Sequence, residues 1–287
     1  MSDYPNIKTY NTLPKVLRHR ANSMPTTIAL RDKDLGIWNE ITWKEYHDNV
    51  SYLALGLSKR GFKLGDVIGL IGDNKPSWLF FELAAQAVGG MSLGIYRDTL
   101  DEEVGYLINA AKVDFAYAED QEQVDKLLSI KRAKNNNITI FYEDSRGLKE
   151  LNNPHIIDML DLINEGKAIA AKNQNKYNQL IDKISPDQNA ILCTTSGTTS
   201  NPKLAMLPGG KLIEHVVRYL NVDPKTIDDE YVSVLPFPWI MEQIYAVGFN
   251  IVGGMKVNFP ERPDTAMEDL REIGPTFMLG APRLWEQ

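Results

Sequence analysis

From Thr27 onward, short runs of β-forming residues alternate with stretches whose apolar residues recur at helical spacing. That alternation is the pattern of βαβ units building a mostly parallel sheet. Thr42-Trp43-Lys44-Glu45 has the spacing of a capping box, and behind it Tyr46, Val50, Leu53 and Leu57 mark one helical face that ends at Gly61. Residues 67–71 are continuously apolar and predict a buried strand. The turn Gly72-Asp73-Asn74-Lys75-Pro76 opens a second helix through Trp78, Phe81, Leu83 and Ala84, closed by Gly89-Gly90, with a strand over 91–95. The rhythm repeats with a second capping box, Thr99-Leu100-Asp101-Glu102, a helix carrying Val104, Leu107 and Ile108, a strand at 115–118 and a helix at 123–130.

Between 138 and 185 the pattern weakens. One strand at 138–142 precedes short helices punctuated by polar runs such as Lys172-Asn173-Gln174-Asn175-Lys176. A subdomain seam is expected there, dividing an N-terminal α/β subdomain (1–185) from the start of the next one (186–287). Beyond it the pattern predicts a helix at 211–220, a strand at 231–235, an apolar helix at 242–252 ending at Gly253-Gly254, a strand at 255–259, a helix at 266–273 and a strand at 276–279. The fold class is therefore α/β, with doubly wound, mostly parallel sheets and no internal repeat of 20–50 residues.

At 287 residues and 43% hydrophobic, the chain can bury a substantial core. A formal charge of -7 argues against nucleic acid as a partner, since a phosphate-backbone binder needs a basic face. The densest basic run, Lys131-Arg132-Ala133-Lys134, reads as a solvated helix end running into Asn135-Asn136-Asn137. One cysteine, Cys193, allows no internal disulfide, and His19, His47, His155 and His215 lack metal-ligand spacing, so no metal site is expected from them. No apolar stretch reaches the roughly 18 residues of a membrane helix, and the N-terminus lacks a secretory pattern. A cytoplasmic location without a transmembrane segment is expected.

The chemistry concentrates in Thr194-Thr195-Ser196-Gly197-Thr198-Thr199-Ser200-Asn201-Pro202-Lys203, directly after the apolar run Ala190-Ile191-Leu192-Cys193. Clustered hydroxyls, one glycine that lets backbone approach an anion, and a mobile lysine suit a polyphosphate. A solvated Ser/Thr turn with a surface lysine is the plain alternative. The Walker A spacing is not met, because five residues beyond Gly197 stands Pro202.

The order of these residues resembles the T-S-G-T-T-[SG]-x-P-K loop of the adenylate-forming (AMP-binding) superfamily. Four further segments resemble its long-chain fatty acyl-CoA synthetase branch. They are Asn74-Lys75-Pro76-Ser77-Trp78, Gly89-Gly90 through Ile95-Tyr96-Arg97, Leu235-Pro236-Phe237-Pro238-Trp239-Ile240-Met241-Glu242-Gln243, and Ala281-Pro282-Arg283-Leu284-Trp285-Glu286. Taken singly, Trp78, Trp239 and Trp285 read as core or interface aromatics. Three departures stand out: Ser200 where many relatives carry glycine, Leu204 after the loop lysine, and Pro208-Gly209-Gly210 in place of a Ser-His pair. His215 then reads as a surface or packing histidine.

The resemblance implies that a fatty acid carboxylate attacks the α-phosphate of ATP, with Mg2+, to give an acyl-adenylate, after which coenzyme A displaces AMP. It implies that Thr195, Ser196, Gly197, Thr198, Thr199 and Ser200 cradle phosphates, that Lys203 neutralises them, and that Trp239 and Glu242 lie near the acyl pocket. The family's adenine and Mg2+ segment, ribose aspartate and small C-terminal domain are not found before Gln287, where the sequence stops in the first turn of an expected helix. A truncated piece, inactive alone, is therefore expected. Another acid-thiol ligase of the superfamily, a short non-catalytic nucleotide- or partner-binding protein, and an unrelated kinase or hydrolase are the alternatives. A long-chain acyl substrate also implies peripheral membrane contact.

Overall fold

The computed structural model describes residues 4–134, 138–149, 151, 153–195 and 202–280. After α1 (Leu13–Ser23) comes a hairpin of β1 (Ile28–Asp34) and β2 (Ile37–Thr42), then α2 (Trp43–Lys59), β3 (Val67–Ile71), α3 (Pro76–Val88) and β4 (Met91–Ile95). Next are α4 (Asp101–Ala110), β5 (Phe115–Ala118), α5 (Gln121–Lys134), β6 (Thr139–Tyr142), β7 (Ile156–Asp158), α6 (Met159–Lys172) and α7 (Lys176–Ile181). The last part holds β8 (Asn189–Thr195), β9 (Lys203–Pro208), α8 (Gly209–Val222), β10 (Glu230–Val232), α9 (Ile240–Glu242), a π-helix (Gln243–Gly253), β11 (Lys256–Phe259) and α10 (Ala266–Ile273).

Two sheets result. Seven strands run in the order β7-β6-β5-β3-β4-β8-β9, all parallel except the β8–β9 hairpin. Four more run β10-β11-β1-β2, with β1 parallel to β11 and antiparallel to β2. β3 is buried along its whole length, which is why it carries apolar residues without alternation: helices cover both faces of a parallel sheet. Both sheets draw strands from either side of residue 185, so the seam expected there separates neither of them.

The first capping box forms as expected. Glu45 N donates to Thr42 Oγ1 (3.2 Å) and Thr42 N donates to the Glu45 carboxylate (2.8 Å). The second does not: α4 starts at Asp101, with Leu100 at the N-cap and no side-chain cap. Thr99 stands one residue too early to reach the first free amides, and Asp101, Glu102 and Glu103 instead place negative charge at the positive helix end.

Other differences have local causes. Within the apolar segment expected as an α-helix at 242–252, the chain from Gln243 onward is a π-helix, and it is buried on nearly every side, so its periodicity is silent on pitch. The strand expected at 231–235 ends at Val232, and 276–279 contributes a single bridge, Tyr231 to Phe277. Within 138–185, α6 packs tightly on α2, where a β-carbon on Gly166 would lie 1.9 Å from the Tyr52 carbonyl oxygen. Buried Arg20 of α1 donates to the carbonyls of Ile251 (3.1 Å) and Val252 (2.5 Å), closing the free carbonyl end of the π-helix.

Candidate functional site

β8 delivers Thr195 to the carboxyl edge of the seven-stranded sheet, and β9 leaves from Lys203. The pair is in register there, with Thr195 and Lys203 as Cα partners and Thr195 Oγ1 donating to the Lys203 carbonyl (3.4 Å). Both are exposed. Tyr106 of α4 donates its hydroxyl to the Pro202 carbonyl (3.2 Å), fixing the chain just before Lys203. Ser196, Gly197, Thr198, Thr199 and Ser200 lie outside the described residues.

Beneath this edge is a cavity of about 610 Å³, walled by Gly94, Cys193, Ala205, Leu207, Pro238 and Trp239, with Thr194, Thr195 and Pro202 at one side. Trp239 is 37% exposed and lines this space, near the carboxyl ends of the strands. Burial pushes the Cys193 thiol up to about 11, so it behaves as a neutral, apolar wall.

Glu242, expected beside the same pocket, is placed elsewhere. It is fully buried, and its carboxylate accepts hydrogen bonds from Ser233 Oγ (2.5 Å) and Tyr231 OH (2.7 Å). Burial raises its pKa to about 8 against the lowering effect of those two donors. Only one turn separates it from Trp239, and that turn of α9 directs the two side chains apart: Trp239 to the cavity, Glu242 inward.

A second cavity, about 550 Å³ and more polar, lies alongside. Its walls are the segments that follow β3 (Gly72, Asp73, Asn74), β4 (Tyr96, Arg97, Asp98), β10 (Ser233) and β11 (Pro260 to Pro263), so strands of both sheets point their carboxyl ends at one space. Arg97 is held there by Asp73 and by Asp120 (3.5 Å). Tyr96 and Pro238 line both cavities and form the partition between them. Sequence patterning marked Gly72 to Pro76 as a helix start, while Asn74 and Gly94 fall within two of the segments that resemble the family.

His215 stacks edge-on against Tyr219 (5.0 Å between centroids), the packing role expected of it. Among the described residues no helix is long and apolar enough to cross a membrane, and no group of three or more His, Cys, Asp or Glu is placed to hold a metal ion.

With this geometry in view, residues 17–287 match the AMP-binding enzyme family, and the chain belongs to it. It is 28% identical over 293 residues to the long-chain-fatty-acid–CoA ligase ACSBG2 of Rattus norvegicus, a match covering 99% of this chain and 43% of that protein. To ACSBG1 of the same species it is 30% identical over 269 residues, covering 90% of this chain and 36% of the relative. The chain thus spans less than half the length of these relatives. Its fold is that of adenylate-forming ligases. The structure of the anthranilate CoA ligase AuaEII in complex with anthranoyl-AMP superposes with a TM-score of 0.79 at 17% identity, covering 96% of this chain and 50% of that one.

Proposed function

We propose that the protein acts as a long-chain fatty acid–CoA ligase, using ATP to form an acyl-adenylate that coenzyme A then converts to acyl-CoA. The observation that carries this is the placement of exposed Thr195, paired across the strands with Lys203, in the lining of a largely apolar cavity. An alkyl chain buried in that cavity gains about 0.8 kcal/mol per methylene, which anchors it, while its carboxylate is left at the rim beside the hydroxyls of Thr194 and Thr195. Phosphoryl transfer needs fixed donors and a cation where negative charge grows. Lys203 and the hydroxyls of Thr195, Ser196, Thr198, Thr199 and Ser200, with the Gly197 backbone, supply them in this proposal, and Lys203 stays free of any carboxylate partner among the described residues.

Mg2+ is the ion this reaction uses with ATP. The described residues offer no cluster to hold one, so no step is assigned to it here and the nucleotide phosphates would carry it in. The similarity of the chain to fatty-acid–CoA ligases in sequence supports an alkyl rather than an aromatic acid. A reducing cytoplasm as the site of action accords with a single, buried thiol.

The test is fatty-acid-dependent exchange of labelled pyrophosphate into ATP, run beside equilibrium binding of ATP and of palmitate to this chain. Saturable palmitate binding that Trp239→Ala weakens supports the proposal. The absence of exchange together with the absence of binding of both ligands sinks it.

A further inference from the structure

We infer that Asn74 is a positioning residue for the acyl-chain cavity, locking the segment that carries Pro238 and Trp239 and so setting which chain lengths the cavity takes. The inference rests on the proposed function above. Asn74 lies in the turn between β3 and α3 of the seven-stranded sheet, but its amide is spent entirely on the chain leaving β10 of the other sheet. Nδ2 donates to the Leu235 carbonyl (2.6 Å) and to Ser233 Oγ (2.7 Å), and Oδ1 accepts from Phe237 N (3.2 Å).

These groups have no sheet partner, because β10 ends at Val232. Side chains therefore do the pairing that a strand would have done. Ser233 Oγ, having accepted from Asn74, donates to Glu242, and Gln243 Nε2 donates to the Phe237 carbonyl (3.1 Å) and to Glu82 (3.2 Å). Among the described residues, only Asn74 reaches the segment from across the sheets with a donor and an acceptor at once. An aspartate has no donor for Leu235, and an alanine leaves Leu235 O and Phe237 N without partners.

What the segment does next ties it to the cavity. Pro238 packs on Gly94 of β4 so closely that a β-carbon there would lie 2.9 Å from Pro238 Cα. Pro238 and Tyr96 form the partition between the apolar and polar cavities, and Trp239 closes the apolar one. Trp239 is itself 37% exposed, and among the described residues no side-chain hydrogen bond holds it. Its position is inherited from the backbone that Asn74 grips. Loosening the grip moves the end wall, which changes discrimination between long and short chains more than it changes affinity for either carboxylate.

The experiment uses the full chain and displacement of a dansylated undecanoic acid by decanoate, myristate and palmitate. Wild type is expected to prefer palmitate over decanoate, and Asn74→Ala to reduce that preference by about threefold or more, with no further change when added to Trp239→Ala, as coupled neighbours require. An unchanged palmitate-to-decanoate ratio in Asn74→Ala, or additive effects in the double variant, overturns the inference while leaving the proposed function standing. Absence of displaceable probe binding in wild type overturns the proposed function and this inference with it. If Asn74→Ala does not fold, Asn74→Asp carries the same test, since it keeps the acceptor for Phe237 and loses both donors.

Discussion

Thr195 and Lys203 stand opposite each other as Cα partners across the antiparallel β8–β9 pair. β8 ends and β9 begins at that pair, so Thr195 and Lys203 share one edge of the sheet. Lys203→Met is expected to weaken ATP binding about ten- to a hundredfold, the worth of one charged hydrogen bond to phosphate. Its exposed position leaves stability within about 0.5 kcal/mol of wild type. Calorimetric titration with ATP beside a thermal melt checks both; unaltered ATP affinity removes Lys203 from the site.

Gly166 separates α6 from α2 by less than a methyl group. Gly166→Ala would place its β-carbon 1.9 Å from the Tyr52 carbonyl, a backbone atom that cannot rotate away. A loss of about 3 kcal/mol is expected. Gly209→Ala, in the first turn of α8, meets Ala190 Cβ at an ordinary 3.4 Å and is expected to be neutral or to gain up to about 1 kcal/mol. Urea denaturation of the two variants should separate them in opposite directions.

Arg20 works as a buried cap. Burial lowers its pKa to about 10, which still leaves it charged at neutral pH, donating to Ile251 and Val252. Arg20→Met strands two buried carbonyls and should cost about 2–4 kcal/mol. The loss should appear as faster hydrogen exchange in the π-helix; unchanged protection there would show that the cap is idle.

Glu82 predicts a pH dependence. Burial raises its pKa from 4.5 to about 7, partly offset by the hydrogen bond from Gln243. Folded protein therefore holds a proton between pH 4.5 and 7 that unfolded protein releases. This contribution to stability is complete below 4.5, falls as pH rises to 7, and is level above that. The fall is expected to reach at most about 1.4 kcal/mol per pH unit. Glu82→Gln should make the profile shallower over that window, where the buried carboxyls of Asp32, Glu119 and Glu242 titrate as well, and a slope identical to wild type contradicts the assignment.

What the sequence made legible follows from how local each cause is. The Thr42–Glu45 capping box, the unbroken apolar run of β3 and the Gly89 turn are set within a few residues, and each formed where the pattern put it. β9 escaped notice because its half-exposed residues alternate weakly and its strand partner, β8, supplies the order. The inward turn of Glu242 depends on Tyr231 and Ser233, and the reach of Asn74 depends on a segment some 160 residues later; neither leaves a mark in local spacing. Trp239 was suggested beside a pocket by the resemblance of its segment, whereas its neighbours Gly94 and Leu207 in the cavity wall come from distant strands and left no such mark.

The parallel pairing of β1 with β11 joins Leu30 to Val257. During synthesis the β1–β2 hairpin leaves the ribosome long before that partner exists. At 5–20 residues per second, the wait from Asp34 to Lys256 is on the order of ten to forty-five seconds. Through that interval the inner edge of β1 is an unsatisfied row of amides and carbonyls, open to any other strand. The protein's most exposed moment thus falls at birth, and crowding nascent chains on one messenger should raise the aggregated fraction more than heating the finished fold by a few degrees.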